Sequence, residues 1–571
     1  MIDYNIKIAG AAGQGMQTIG QVLSKAFLRG GYHVFTLQSY HSRIRGGHTF
    51  FQIRISDRPV SAMDERADML IALNQESVQL HGGKLKEPCV ILYDASAVKE
   101  CAPKAACFDV PFVKLAKETG GEAIYANAVA VGAAMGIIDF GLDLLEDIFV
   151  SFFEAKHKDA AIEANVKAAK AGYDFAKNRY KLARKIKITP KDGSGRILIN
   201  GNEAIALGAL AAGCKFYSAY PMTPSTSIML TVTKFADDFG VVVEQTEDEI
   251  AAINMAIGAA YTGVRAMTAT SGGGLALMVE GISLAGMTET PVVIADAQRP
   301  APATGLPTRT EQGDLEFVLY SGHGEFPRIV FAPGSPKEAF DITIKAFDLA
   351  EKYQIPVFIL TDQYLADSLN DMDESNIREP KINRYLISDA ELKKSKEYKR
   401  YLLTADGISP RAIPGQAGVT VIADSDEHTE DGHLTEDLDI RVKMVDKRLK
   451  KMDGIRREAI APTISGDRGG DTAVLCWGST RGPAKEAVDI LNRGGKKIKL
   501  IHLSQIWPFS ADALKKELGG IKSIWMIEGN ATGQLANLIK RECGIDISNR
   551  VLRYDGMPFS PEYIAERISK A

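Results

Sequence analysis

The chain has 571 residues, 45% hydrophobic and 25% charged, with a net charge of -4. That length exceeds one core and calls for three or four domains. The balance is ordinary for a globular protein and gives no electrostatic reason to expect nucleic acid or an anionic membrane. The first residues, MIDYNIKIAGAAGQG, lack the basic and apolar regions of a signal peptide, and no apolar run reaches the roughly 20 residues of a spanning helix, so the chain reads as cytoplasmic.

The N-terminal region alternates strand-like runs (NIKIAG, HVFTL, HTFFQIRI, DMLIAL, CVILYDA) with helical patterns, of which TIGQVLSKAFL is the first. GAAGQG at Gly10 to Gly15 follows a strand and opens a helix, a setting that suits an anion. Its spacing departs from the dinucleotide fingerprint G-x-G-x-x-G, and the acidic residue expected about 20 positions on is missing. The favoured expectation is a tight strand-to-helix turn. QSYHSRIRGGHTFF reads as a hairpin with a basic tip, or as a patch for an anionic ligand or a partner subunit. A long helix is expected from Asp159 to Lys185, followed by a linker at KITPKDGSGR.

FYSAYP, VVVEQ, AMTATS, PVVIADA, RIVFAP and PVFILTD then alternate with helical stretches, the signature of a mostly parallel sheet covered on both faces. From about Glu374 to Gly470 the sequence is charged and irregular, a connector with one basic helix around KMVDKRLKKM. TAVLCWGS, KIKLIHLS and SIWMIEG announce a last α/β domain. The domains expected are 1–188, 196–372 and 471–571, joined by the connector 373–470. Cys89, Cys101, Cys107, Cys214, Cys476 and Cys543 form no CxxC pair and have no metal-site spacing, so all six are expected as free thiols and no metal is expected on this chain.

Chemistry concentrates between Tyr220 and Gln312. In YPMTPSTS, Thr223 precedes Pro224 and is expected to cap a helix with Pro at its first position. Glu247, Asp248 and Glu249 lead a helix of Ala, Gly, Ile and Met. Acids there favour the helix dipole, but a carboxylate facing an apolar interior also has a raised pKa and can share a proton with a bound heterocycle. TSGGG, with Ser271, Gly272 and Gly273, lets backbone approach a ligand closely. Arg299 and Arg309, in AQRPAPATGLPTRTEQGD, are candidates for carboxylate recognition.

Together YPMTPST, EDEIAAINMAIGAA, TSGGGLALM and AQRPAPATGLPTRTEQGDL resemble the pyrimidine-binding domain of 2-oxoacid:ferredoxin oxidoreductases. GAAGQG with RIRGGHT resembles their gamma subunit, fused ahead of alpha, and IEGNATGQLANLIKRECG with YDGMPFSPEYI resembles the C-terminal part of alpha. The fusion and SGHGEFPRIV are most similar to the 2-oxoglutarate type. The resemblance implies a multidomain α/β fold. A gamma-type domain is followed by a doubly wound domain that binds the pyrimidine of thiamine diphosphate, and then by a transketolase C-terminal-like domain. Glu249 would hydrogen-bond the aminopyrimidine and promote ylide formation. Tyr220, Pro221, Ser271, Gly272 and Gly273 would line the cofactor. Thr223 would contact the substrate, Arg299 would bind its carboxylate, and Arg309 would meet a second acidic group.

No GDG…N motif for magnesium and diphosphate occurs in the chain. The resemblance therefore implies a beta subunit carrying Mg2+, the diphosphate and a [4Fe–4S] cluster, in an (alpha–beta)2 assembly. The implied reaction is oxidative decarboxylation of 2-oxoglutarate to succinyl-coenzyme A, with electrons passed to ferredoxin. Pyruvate or branched-chain 2-oxoacids, or a non-catalytic assembly role, are the alternatives.

Overall fold

The computed structural model describes residues 2–40, 47–153, 159–180, 193, 195–394, 397–416 and 418–570. The tip of the basic stretch, from His41 to Gly46, lies outside the described residues, as do positions 181–192 of the expected helix end and linker.

Seven strands come first: β1 (Asp3–Ala11), β2 (His33–Ser39), β3 (His48–Ser56), β4 (Ala67–Ala72), β5 (Leu85–Tyr93), β6 (Ala106–Asp109) and β7 (Arg196–Ile199). Six more follow: β8 (Cys214–Ala219), β9 (Val242–Gln245), β10 (Arg265–Thr270), β11 (Val292–Gln298), β12 (Ile329–Phe331) and β13 (Pro356–Asp362). The last are β14 (Asn370–Asp373), β15 (Thr463–Gly466), β16 (Thr472–Trp477), β17 (Ile498–Leu503), β18 (Gln505–Trp507), β19 (Ser523–Glu528) and β20 (Asn549–Leu552). All the strand-like runs read from the sequence lie in this set.

The chain divides into two compact units. The first comprises 1–199, 368–375 and 560–562. Its eight-stranded sheet runs β6-β5-β4-β1-β3-β2-β14-β7. Helix Met16–Arg29 begins at Gly15, which sits in the left-handed region at φ 83°. A Cβ there would lie 1.9 Å from Asn127 Nδ2, so the turn needs glycine for both conformation and space. Helix Asp159–Arg179 packs along helix Ala126–Ile137 at Gly132 and Gly172, where a Cβ would strike the facing backbone. One expectation fails: Cys101 and Cys107 form a disulfide. Cys107 lies in β6 and Cys101 in the irregular segment just before it, and the turn between them brings their Cα atoms to 6.3 Å, within bridging distance.

The second unit comprises 200–367, 376–559 and 563–571 and contains two sheets. The seven-stranded one runs β18-β12-β13-β11-β10-β8-β9, parallel except for β18. Strands β10, β11 and β13 are buried along their whole length, which explains why they read as near-continuous apolar runs. The five-stranded sheet runs β15-β17-β16-β19-β20. Both sheets contribute to one apolar core that includes Ile294, Leu360, Leu475, Trp477 and Met526. KMVDKRLKKM lies in helix Leu438–Arg457. Among the described residues no helix is long and apolar enough to cross a membrane.

Candidate active site

Four neighbouring strands, in the order β11-β10-β8-β9, send their carboxyl ends to one rim. In open α/β sheets that rim is where ligands bind. Tyr220 and Pro221 follow β8; Glu249 follows β9 after a short turn; Ser271 and the glycines follow β10; Arg299 follows β11. Residues from Tyr220 to Arg299 in the chain thus meet because the sheet is parallel and in register.

Glu249 is the first residue of helix Glu249–Tyr261. Asp248 is its cap, accepting a hydrogen bond from Ala251 N at 2.7 Å, and Thr246 N donates to Ala219 O at 3.0 Å, which fastens this turn to the end of β8. Of the three acids, Glu247 and Asp248 are exposed, whereas Glu249 is only 3% exposed. Its Oε1 has no hydrogen-bond partner in the chain. Burial raises its pKa, the neighbouring Asp248 adds to this, and Arg299 opposes it.

Ser271 precedes helix Gly272–Met287 and makes no capping hydrogen bond; its buried Oγ also lacks a partner. The first turn requires glycine. A Cβ on Gly274 would lie 2.1 Å from Thr270 Oγ1 and 2.4 Å from Glu249 Oε1, and one on Gly272 would lie 2.5 Å from Asp314 Oδ2. Gly273 faces outward, with only Ala303 O within reach of an added Cβ, at 3.8 Å. Gly281, further along, lets this helix approach Ile253 of helix Glu249–Tyr261.

Arg299 Nη1 donates to Thr223 O at 2.6 Å, which joins the β11 loop to the β8 loop. Burial lowers the Arg299 pKa, while Asp314 and Glu249 favour its charged form. Thr223 does not cap a helix. The helix runs Thr226–Lys234 from Ser225, the Thr223–Pro224 peptide is cis, and the Thr223 carbonyl is taken by Arg299. Tyr220 stands 40% exposed on the rim, and Pro221 is half-buried beside it. Arg309 stands elsewhere on the loop, packed against Gly556, where an added Cβ would lie 3.1 Å from Arg309 Cβ, and burial lowers its pKa. The loop is fixed by Gln312, which accepts from Gly529 N at 2.9 Å and donates to Trp477 O at 3.0 Å.

The sequence reading missed Asp296 and Asp314. Asp314 N donates to Gln298 Oε1 at 3.0 Å, and its carboxylate abuts Gly272. Asp296 is fully buried within β11. The available signal was a lone carboxylate in the apolar strand PVVIADA.

Two buried oxygens without partners beside a glycine cradle fit a flat, hydrogen-bonding heterocycle. An unsatisfied buried acceptor is costly unless a ligand completes it.

Comparison with known proteins identifies the family. Residues 207–447 match the family model described as pyruvate flavodoxin/ferredoxin oxidoreductase, thiamine diphosphate-binding. Residues 5–175 match pyruvate ferredoxin/flavodoxin oxidoreductase, and 470–564 match pyruvate:ferredoxin oxidoreductase core domain II. A 2-oxoacid:ferredoxin oxidoreductase subunit alpha from a Sulfolobus species is 34% identical, over 99% of this chain and 96% of its own length. The chain belongs to the 2-oxoacid:ferredoxin oxidoreductase alpha-subunit family. Within it, the 2-oxoglutarate oxidoreductase subunit KorA of Mycobacterium tuberculosis is 30% identical, over 99% of this chain and 91% of its own. The solved 2-oxoglutarate:ferredoxin oxidoreductase of Magnetococcus marinus, with 2-oxoglutarate, coenzyme A and succinyl-CoA bound, is 32% identical. It covers 100% of this chain and 99% of its own, at a TM-score of 0.92. The α/β multidomain fold expected from the family is the fold observed.

Proposed function

We propose that this chain is the alpha half of an enzyme that oxidatively decarboxylates 2-oxoglutarate to succinyl-coenzyme A, passes the electrons to ferredoxin and can run in reverse. The observation that carries the proposal is the buried Oε1 of Glu249, without a partner and facing a glycine cradle. Thiamine diphosphate, when bound, supplies the carbanion and the electron sink for decarboxylation.

The chain's own residues bind, orient and move a proton. Glu249 would hold a proton at Oε1 toward the aminopyrimidine, and burial, by raising its pKa, favours the protonated form that this needs. Gly272, Gly273 and Gly274 would admit the ring edge, with Ser271, Tyr220 and Pro221 around it. Arg299, fixed by the Thr223 carbonyl, would receive the 2-oxoacid carboxylate, with Thr223 beside it. Arg309 would meet the distal carboxylate of a dicarboxylic substrate.

A beta subunit would complete the site with Mg2+, the diphosphate pocket and a [4Fe–4S] cluster, in an (alpha–beta)2 assembly. Support comes from the helices that frame Glu249. Ile250 and Met255 on helix Glu249–Tyr261 and Leu277 on helix Gly272–Met287 are 50%, 44% and 49% exposed, apolar side chains that a partner subunit would cover. The specificity reading leans on the likeness to the Magnetococcus enzyme.

The test is viologen reduction by the chain co-expressed with its partner, given coenzyme A and either 2-oxoglutarate or pyruvate. Turnover that needs the partner and is fastest with 2-oxoglutarate is expected. Preference for pyruvate rejects the substrate, and turnover without the partner rejects the divided site.

A further inference from the structure

We propose that Asp296 and Asp314 share one proton behind the Gly272–Gly274 turn, and that Asp314, carrying the pair's single negative charge, is a positioning residue that tunes how strongly Arg299 holds an anionic substrate. This deepens the role given to Arg299 and rests on it.

The geometry begins with strand register. In the parallel pairing of β10 and β11, Thr268 lies opposite Ile294 and Thr270 opposite Asp296. Ile294, Asp296 and Gln298 alternate onto one face of β11. Gln298 shows what that face meets, since its Oε1 accepts from Asp314 N at 3.0 Å and its Nε2 donates to Thr361 O at 3.1 Å. Asp314 is held from the other side by the turn after Thr270, because its carboxyl oxygens lie 2.5 and 2.7 Å from where a Gly272 Cβ would be. Two neighbours of Asp296 therefore enclose Asp314.

Three of the four carboxyl oxygens are buried without a donor among the described residues. These are both oxygens of Asp296 and the Oδ2 of Asp314. Two buried carboxylates whose charges act on each other are costly to ionise together, and one proton on the pair removes half the charge. The Thr268 hydroxyl, also buried without a partner, faces the same side.

The surrounding charges decide which carboxyl keeps the proton. Asp296 lies deepest, feels only Asp314, and is pushed well above the ordinary carboxylate range by burial. Asp314 is pushed to about 6, by burial first and then by Glu311, while Arg299 opposes the rise. From the other elements, Glu249 and its cap Asp248 act with Arg299 on the rim, and the first turn of helix Gly272–Met287 brings no charge. Asp362 of β13 is engaged by Ser479, Thr310 and the N–H groups of Tyr364 and Leu365. Near neutral pH the pair thus presents one negative charge, on Asp314, to Arg299.

The substrate carboxylate competes with that charge. Protonating or removing Asp314 leaves Arg299 opposed by less negative charge, so anions bind more tightly.

The experiment uses the full chain with its partner and aspartate labelled at the carboxyl carbon. Infrared spectra at pH 8 are expected to show a protonated aspartyl band. Asp296→Asn is expected to abolish it, and Asp314→Asn to keep it at a shifted frequency, since the proton loses its acceptor. Both substitutions are isosteric and remove buried charge, and circular dichroism checks the fold. The wild-type KM for the 2-oxoacid is expected to fall about tenfold as pH drops through about 6. In Asp314→Asn it is expected to be low already at pH 8, flat across that window, with kcat within about threefold of wild type. No band at pH 8, a band that survives Asp296→Asn, or a KM that Asp314→Asn leaves unmoved overturns the proposal. Arg299→Ala separates the two readings: an unchanged KM there removes Arg299 as the carboxylate ligand, while the infrared band still reports the pair.

Discussion

Glu249 and Glu289 lie in the same unit and are almost equally buried, at 3% and 1% exposed, yet their surroundings are opposite. Glu249 Oε1 has no partner, and burial raises its pKa. Glu289 is clasped by Lys447 at 2.6 Å and Lys451 at 2.5 Å, both from helix Leu438–Arg457, and Arg400 bonds its carbonyl. These cations hold its carboxyl far below the usual range despite burial. Burial alone therefore does not mark a carboxylate for chemistry. The missing partner does, whereas a surplus of cations marks a fastening, here between the charged segment after β14 and the turn before β11.

Neutralising each acid breaks the comparison in a different currency. Glu249→Gln is expected to leave the fold intact and cut turnover by about 10²–10⁴-fold, the range for loss of a positioned acid–base group, read by viologen reduction. Its effect on stability carries a definite sign. A carboxyl with a raised folded pKa lowers stability progressively as pH rises past its unfolded value, and has no effect when protonated in both states. The variant should thus be more stable than wild type at pH 8 and equal to it near pH 4.

Glu289→Gln is expected to do the reverse, leaving two buried lysines without a counter-charge at a cost of about 3–5 kcal/mol in denaturant melts. Because the folded pKa of Glu289 is depressed, its contribution is present above the ordinary carboxylate range and drains away as pH falls below it. Equal stability of this variant and wild type at pH 7 would sink the fastening reading. The smallest effect belongs to Asp248→Ala, which removes the cap beside Glu249 and should cost about 1 kcal/mol by thermal melting. Turnover should fall far less than in Glu249→Gln, and equal losses would blur the distinction between the acid and its cap.

The sequence made the strands legible because β10, β11 and β13 are buried on both faces and appear as apolar runs. It also made Glu249 legible, as a carboxylate leading a helix of small residues. Partners from distant parts of the chain were not. Thr-Pro looked like a cap and a first helical residue, but the Thr223 carbonyl is claimed by Arg299 across the sheet. Asp296 and Asp314 acquire meaning only through the Thr270 register and the Gln298 hydrogen bond. The four residues of β14 carry no periodic signal. They are a strand because Asp371 meets His33 at 2.7 Å and Arg196 at 2.9 Å, and because the segment pairs with β7 and β2.

That same short strand governs the order in which the protein can be finished on the ribosome. Strands β1 to β6 leave the exit tunnel early, yet their sheet still lacks β14. Synthesis at about 5–20 residues per second separates the two by many seconds. The edge of β2 is exposed throughout that interval as an open template for any passing extended chain. The N-terminal sheet is thus completed only when Asp373 emerges, and a chain cut between β7 and β14 would leave β2 without the partner it meets at Asn370 and Phe35.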